Sequence, residues 1–141
     1  MPGHGPVVTG TLRGGAITHA DRLELLPLRR TVRLRKLQVH GQDEAAAQPG
    51  QRVALNLRDV ELGELHRGMA LAAPDALRSG EWLTRAIRAL ASAPAMKNGK
   101  RLRALFGTQQ VVLGLRLLDR DEIAPGESGF AQLRCVNPVA L

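Results

Sequence analysis

Turn-forming residues interrupt this chain at short intervals, and that punctuation constrains its fold more than any other feature. They are Gly14-Gly15, Pro27, Gly41, Pro49-Gly50, Gly63, Gly68, Pro74, Gly80, Pro94, Gly99, Gly107 and Pro125-Gly126. Most of the intervening segments are too short for an ordinary helix, whereas strands of about five or six residues fit them. The sequence therefore predicts an all-β fold of short antiparallel strands joined by turns.

Two segments carry strand patterns. In Gln51–Arg58 every second residue is apolar, and the face that we assign to the core holds Val53, Leu55 and Leu57. The opposite face, toward solvent or a ligand, holds Arg52, Ala54, Asn56 and Arg58. In Thr31–His40 the apolar positions change phase after Leu34. Such a change predicts a β-bulge, which bends a strand around a barrel.

The charge of the chain indicates a polyanionic partner. Its 141 residues are 44% hydrophobic, enough for a buried core, and carry a net charge of +7. Lys and Arg that neutralise phosphates release counterions and gain affinity, so RNA is the first partner to consider. A basic surface that serves only solubility is the alternative. The aromatic residues are Trp82, Phe106 and Phe130, and so few rings favour backbone and shape recognition over base stacking.

Two groups of basic residues are candidates for phosphate contacts. The first holds Arg29, Arg30, Arg33, Arg35 and Lys36, and the second holds Lys97, Lys100, Arg101 and Arg103. Arg58, on the outward face of its strand, joins these candidates. A solvated surface without a ligand would show the same charge runs. The sequence therefore leaves both interpretations open.

We expect no catalytic site and no metal site. A P-loop needs Gly-x-x-x-x-Gly-Lys-Ser/Thr, and the Gly99-Lys100 pair is followed by Arg101. The four histidines lack metal-ligand spacing. Cys135 suits a buried strand position, with a nucleophile paired to His66 as the enzymatic alternative. The single cysteine fits a reducing cytosol, and the absence of long apolar runs argues against a membrane span, so we expect a cytoplasmic protein.

Several motifs together resemble one known family. Gly3-His4-Gly5-Pro6-Val7-Val8-Thr9-Gly10-Thr11 is followed about forty residues later by Ala47-Gln48-Pro49-Gly50-Gln51-Arg52-Val53-Ala54-Leu55-Asn56-Leu57. Further on come Leu105-Phe106-Gly107-Thr108, Leu117-Leu118 and Pro125-Gly126-Glu127-Ser128-Gly129-Phe130-Ala131-Gln132-Leu133. In this order they resemble domains two and three of the selenocysteine-specific elongation factors, a family of translation GTPases. No part resembles the family's GTPase domain.

The resemblance implies a fold of two small antiparallel β-barrels. Residues 1–74 would form the barrel of the domain-two type and residues 77–141 that of the domain-three type, with the boundary near residue 75. It also implies a strand in Glu81–Ser92, although Leu83, Ile87 and Leu90 have helical spacing. The family's strand before the first glycine motif and its closing strand in domain three lack counterparts, so both barrels are expected to be truncated. Open edges would then favour self-association.

The resemblance also implies a function in translation. The family delivers selenocysteinyl-tRNA to the ribosome, with the aminoacyl end against domain two and the acceptor and T stems against domain three. Arg52 matches an arginine of the family's aminoacyl pocket, where a fixed guanidinium would favour a selenolate over a neutral serine. GTP and Mg²⁺ belong to the full-length family, and we expect no cofactor in this chain. tRNA, and with it the ribosome, are the expected partners.

Two hypotheses of different classes follow. The first is a noncatalytic, tRNA-binding pair of barrels that acts together with a GTPase domain. The second is a basic interaction module that docks on ribosomal RNA or protein without aminoacyl recognition, or a degenerate fragment that keeps only the fold. Charge reversal at Arg52 would separate them, because it would weaken binding of aminoacylated tRNA only under the first hypothesis.

Overall fold

A computed structural model describes residues 5–140. Gly3 and His4, which begin the first motif, lie outside the described residues, as do Met1, Pro2 and Leu141. The chain divides into two compact units, a first unit that ends at Leu77 and a second unit that begins at Arg78. The assignment of residues 1–74 and 77–141 to the family's domains two and three stays a prediction.

The first unit is an antiparallel β structure around one apolar core. Its strands are β1 (Val7–Thr11), β2 (Ile17–Thr18), β3 (Arg22–Leu26), β4 (Arg30–Val39), β5 (Gln42–Asp43), β6 (Ala46–Ala47), β7 (Arg52–Arg58) and β8 (Ala70–Ala72), and a 3-10 helix spans Leu62–Glu64. The main sheet has the order β1-β7-β4-β3-β8, with β5 beside β4, and β2 pairs with β6. Buried leucines and valines of β3, β4 and β7 fill the core.

Strand β4 carries the bulge that its sequence predicts. Its register with β7 shifts between Leu34 and Lys36, so that one extra residue separates the two halves of the strand. Val32, Leu34, Leu37 and Val39 are consequently all buried although their spacing is out of phase. The change of apolar phase in the sequence therefore reflects the bulge, which lets both halves of the strand keep their apolar residues in the core.

The prediction for β7 is right at its core face and wrong at Asn56. Val53, Leu55 and Leu57 are buried as expected, but Asn56 is also buried, with 8% of its surface exposed. Asn56 stands between Val7 of β1 and Lys36 of β4. The chain at Gly5 also approaches it, since a Cβ on Gly5 would lie 3.2 Å from its Oδ1. Strand neighbours on both sides and the chain at Gly5 therefore cover Asn56, which strand alternation alone would place in solvent.

The second unit is also antiparallel. Its strands are β9 (Ser79–Arg88), β10 (Met96–Lys97), β11 (Arg101–Phe106), β12 (Gln109–Leu117), β13 (Glu122–Ile123) and β14 (Ser128–Ala140). The main sheet has the order β11-β12-β14-β9, and β10 pairs with β13. Its core includes Leu113, Leu115, Ile123 and Leu133. With both units described, the prediction of an all-β, antiparallel fold is confirmed.

The ambiguous segment Glu81–Ser92 is a strand as far as Arg88. Leu83 is buried and Ile87 packs partly against the core, because a separation of four residues also returns to the same face of a strand. Leu90, which a helix would bury with them, lies beyond the strand and is 71% exposed. The strand prediction for this segment is confirmed.

Candidate nucleic-acid interface

Arg52 begins β7 and lies opposite Thr11 of β1. It is exposed, and its Nη2 donates a long hydrogen bond of 3.5 Å to Thr9 Oγ1. Among residues 5–140, it makes no ion pair. Its guanidinium is therefore held loosely by a neutral hydroxyl and keeps its charge available for an anionic ligand.

Most of the first basic group is already neutralised by carboxylates. Arg30 Nη1 lies 2.7 Å from Glu64 Oε2, and Lys36 Nζ lies 2.9 Å from Asp43 Oδ2. Arg33 contacts both carboxylate oxygens of Asp59, at 3.0 and 3.4 Å. These pairs are exposed and would exchange partners at low cost. A phosphate would nevertheless have to compete with a carboxylate at each of them.

The carboxylates in these pairs have lowered pKa values. The hydrogen bond from Arg33 lowers the pKa of Asp59, and in turn the pKa of Arg33 is raised. The hydrogen bond from Arg30, followed by that from the Glu61 backbone amide, lowers the pKa of Glu64. The carboxylates of Asp59 and Glu64 therefore remain charged at neutral pH.

Arg29 contacts a buried carboxylate rather than an open surface. Its Nε lies 3.3 Å from Oε1 of Glu24, and the side chain of Glu24 is only 11% exposed. The second oxygen of Glu24 accepts a hydrogen bond of 3.3 Å from the backbone N–H of Asp75. Arg29 and Asp75 both have positive φ, of 55° and 60°. Glu24 thus joins two turns of unusual backbone geometry, and Arg29 lies on one of them.

The remaining candidates of the first unit lie on β4 and β7. Arg35 occupies the bulge of β4, and its carbonyl accepts a hydrogen bond of 2.7 Å from His19 Nε2. Arg58 is exposed and lies directly opposite Arg33, which in turn lies opposite Arg22 of β3. The register therefore forms a row of three arginines across three strands, of which the sequence pattern indicated only two.

In the second unit, the structure separates the members of the second basic group. Lys97 forms an ion pair with Glu122 at 3.1 Å, and Lys100 Nζ donates to the carbonyl of Ala95 at 2.9 Å. Arg101 and Arg103 alternate outward along β11, and no carboxylate contacts either within the described residues. The two lysines thus serve local turns, whereas the two arginines face solvent.

The outer face of this sheet also holds residues that sequence reasoning did not select, Trp82, Arg116 and Arg134. Arg134 lies over the ring of Trp82, 5.3 Å from its centroid, and Arg116 points outward from β12. The signal that could have found Arg134 is the alternation of Phe130, Gln132 and Arg134 with buried residues. Because side chains alternate across a strand, these three residues share its outer face.

The surroundings of Cys135 do not favour a nucleophilic thiol. Only 1% of its surface is exposed, and burial, followed by the charge of Glu81, raises the pKa of its thiol. A reactive cysteine needs the opposite environment, in which positive charge lowers the pKa. Within residues 5–140, no group of His, Cys, Asp and Glu could hold a metal ion. The same residues contain no helix long and apolar enough to cross a membrane.

Two curated relatives of this chain carry the same name, selenocysteine-specific elongation factor. The selenocysteine-specific elongation factor of Desulfomicrobium baculatum is 36% identical over 140 residues, which are 99% of this chain and 22% of that protein. The chain is similar to a segment of this factor. The factor of the same name from Methanocaldococcus jannaschii is 38% identical over 75 residues, 53% of this chain and 16% of that protein.

The structural comparison agrees in fold. A crystal structure of the bacterial selenocysteine-specific elongation factor EF-Sec matches with a TM-score of 0.82 and 24% sequence identity, over 100% of this chain and 22% of that one. No protein-family model matches the chain. The chain thus spans about a fifth of the length of the first of these relatives and of this structure. The resemblance found in the sequence motifs is confirmed.

Proposed function

We propose that this chain binds aminoacylated tRNA as part of a translation elongation machinery of the selenocysteine-specific type. The observation that carries the proposal is Arg52, whose exposed guanidinium has no carboxylate partner among the described residues. The similarity to that factor, which covers 99% of this chain, supports it. A selenolate that reaches this guanidinium would gain a charge-assisted contact that a neutral seryl group lacks.

Under this proposal the arginines divide by role. Arg52 contacts the aminoacyl group. Arg58, Arg101 and Arg103, which form no ion pair among residues 5–140, contact phosphates. Arg30, Arg33 and Lys36 contribute only after exchanging Glu64, Asp59 and Asp43 for phosphate. Binding to the ribosome and self-association through strand edges are further parts of the proposal. GTP binding and Mg²⁺ belong to a GTPase domain that would act together with this chain.

The test compares selenocysteinyl-tRNA, seryl-tRNA and the deacylated tRNA across a salt series. We expect the wild-type chain to prefer the selenocysteinyl form, and Arg52→Glu to remove that preference while leaving binding of deacylated tRNA nearly unchanged. Arg13→Glu is the matched control, because Arg13 is also exposed but lies outside the candidate set. Equal binding of all three tRNAs by the wild type would contradict aminoacyl recognition and favour a docking module for ribosomal RNA.

A further inference from the structure

The outer face of the second-unit sheet concentrates arginines that form no ion pair with a carboxylate among residues 5–140. Strand alternation directs five of them outward, namely Arg88, Arg101, Arg103, Arg116 and Arg134. In the described part of this unit, the cations that form ion pairs are Lys97 and Arg120, and neither belongs to this face. The outward positions of β9, β11, β12 and β14 include no Asp or Glu. Such a face attracts a polyanion.

A groove crosses this face where a glycine interrupts the side chains. Arg101, Gly114, Arg134 and Trp82 form one row across the four strands. A Cβ on Gly114 would meet nothing within 4 Å, so its position is open space. The groove has a volume of about 510 Å³, and it is also lined by Glu81, Val112, Leu113, Cys135 and Val136. Arg101 and Arg134 thus flank an opening about 10 Å wide from Cα to Cα, enough for a phosphate between two guanidinium groups.

Two exposed aromatic rings lie on the same face. Trp82 is 56% exposed and Phe130 is 57% exposed, whereas Phe106 packs against the core. Phe130 lies four residues from Arg134, the strand partner of Trp82, or about 13 Å along the strands. Arg116 and Gln132 stand in the row between them. A cationic path thus connects two flat apolar surfaces.

We propose that this arginine–aromatic face, made of Trp82, Arg101, Arg103, Gly114, Arg116, Phe130 and Arg134, binds single-stranded RNA. The arginines contact successive phosphates, with one phosphate in the groove over Gly114. One unpaired base stacks on Phe130 and a second on Trp82, on the side of the ring opposite Arg134. A duplex hides the faces of its bases and would leave both rings without a partner. Four-stranded sheets with exposed rings and positive charge suit unpaired strands for this reason.

This inference does not depend on Arg52 or on an aminoacyl group. It also departs from the expectation, drawn from the small number of rings, that backbone and shape recognition would dominate. The number of rings matters less than their position, because two of the three lie on one exposed face. The arginines beside them form no ion pair within the described part of the chain.

The test uses the intrinsic fluorescence of Trp82, the single tryptophan of the chain. The full chain is titrated with an oligouridylate of about 12 nucleotides, a length within the range bound by stacking proteins, and with a duplex RNA of equal length. We expect the single strand to quench Trp82 and to bind more tightly than the duplex. Phe130→Leu should weaken binding about ten-fold, and Trp82→Leu should do the same when a labelled RNA reports binding.

Two further kinds of variant distinguish a loss of RNA binding from a loss of folding. Gly114→Val fills the groove where the backbone is open and the strand favours a β-branched residue, so it should weaken binding while the chain stays folded. Leu90→Ala and Arg13→Ala are matched controls, since both positions are exposed and lie outside this face. Circular dichroism verifies the fold of each variant.

Three outcomes would overturn the proposal. The first is equal or tighter binding of the duplex, and the second is oligouridylate affinity that is unchanged in both ring variants. The third is a concentration-dependent doubling of mass that Gly114→Val abolishes, which would assign the face to a second copy of the chain. Arg52→Glu should leave oligouridylate binding intact, so failure at this face and failure of the aminoacyl proposal give different results.

Discussion

Replacing Arg29 with alanine should weaken the fold more than it weakens RNA binding. Its guanidinium contacts the buried carboxylate of Glu24 at 3.3 Å, and Glu24 also accepts from the Asp75 backbone. In the sequence, Arg29 is one member of a basic run and thus a phosphate candidate. In the structure it holds a turn, so its loss leaves a nearly buried carboxylate with one remaining donor.

The expected magnitude follows from the exposure of the two partners. A hydrogen bond to a charged group contributes about 1.5–3 kcal/mol, but the Arg29 side chain is 65% exposed and solvent screening reduces this to about 1 kcal/mol. Arginine and alanine are equally strained at a φ of 55°, so the comparison isolates the side-chain contacts of Arg29. These are the contact with Glu24 and a longer one, of 3.8 Å, with the exposed carboxylate of Asp75. For a unit of this size, about 1 kcal/mol lowers the melting temperature by about 4–8 °C.

The assay combines thermal unfolding, followed by circular dichroism, with RNA binding across a salt series. Glu24→Gln and the double variant complete a cycle, in which the coupling between Glu24 and Arg29 should be at least about 0.5 kcal/mol. Arg13→Ala serves as the exposed control. The reasoning is refuted if Arg29→Ala melts like the wild type while its salt slope falls by about 0.7–0.9, the value for one lost phosphate contact.

Further expectations concern acid, the thiol and a close backbone contact. Lowering the pH from about 7 to about 3 should reduce the urea midpoint, because four carboxylates have lower pKa values in the folded state than in the unfolded state. Their contribution to stability is fully present above the unfolded-state pKa and is lost as the pH falls through the folded-state pKa. They are Asp43, Asp59, Glu64 and Asp119; a flat profile would contradict this. Cys135, buried and with a raised pKa, should react with a thiol reagent only after denaturant is added, and rapid native reaction would disprove its burial. Gly5→Ala should destabilise the fold by about 1–3 kcal/mol, since its Cβ would overlap the carbonyl oxygen of Leu57; an unchanged urea midpoint would show that the chain there can move.

The sequence by itself determined the secondary structure class and the core of the main strands. Alternation in β7 and the change of phase in β4 are local consequences of a strand that keeps one face on the core, so both could be predicted. Leu90 shows the limit of prediction from sequence patterns. Leu83, Ile87 and Leu90 have helical spacing, yet the segment is a strand that ends before Leu90.

Tertiary structure decided which basic side chains at the surface are paired with carboxylates. Arg29, Arg30 and Arg33 occur in one basic run, yet each contacts a carboxylate on another element, and no local pattern records those pairings. The partners are Glu24 on β3, Glu64 in the 3-10 helix and Asp59 after β7. Likewise, strand register places Trp82, Gly114 and Arg134 side by side although more than fifty residues separate the first from the last. Sequence fixes which way a side chain points from its strand, because alternation is local. Its neighbours across the sheet depend on pairing between distant strands, which only the folded chain establishes.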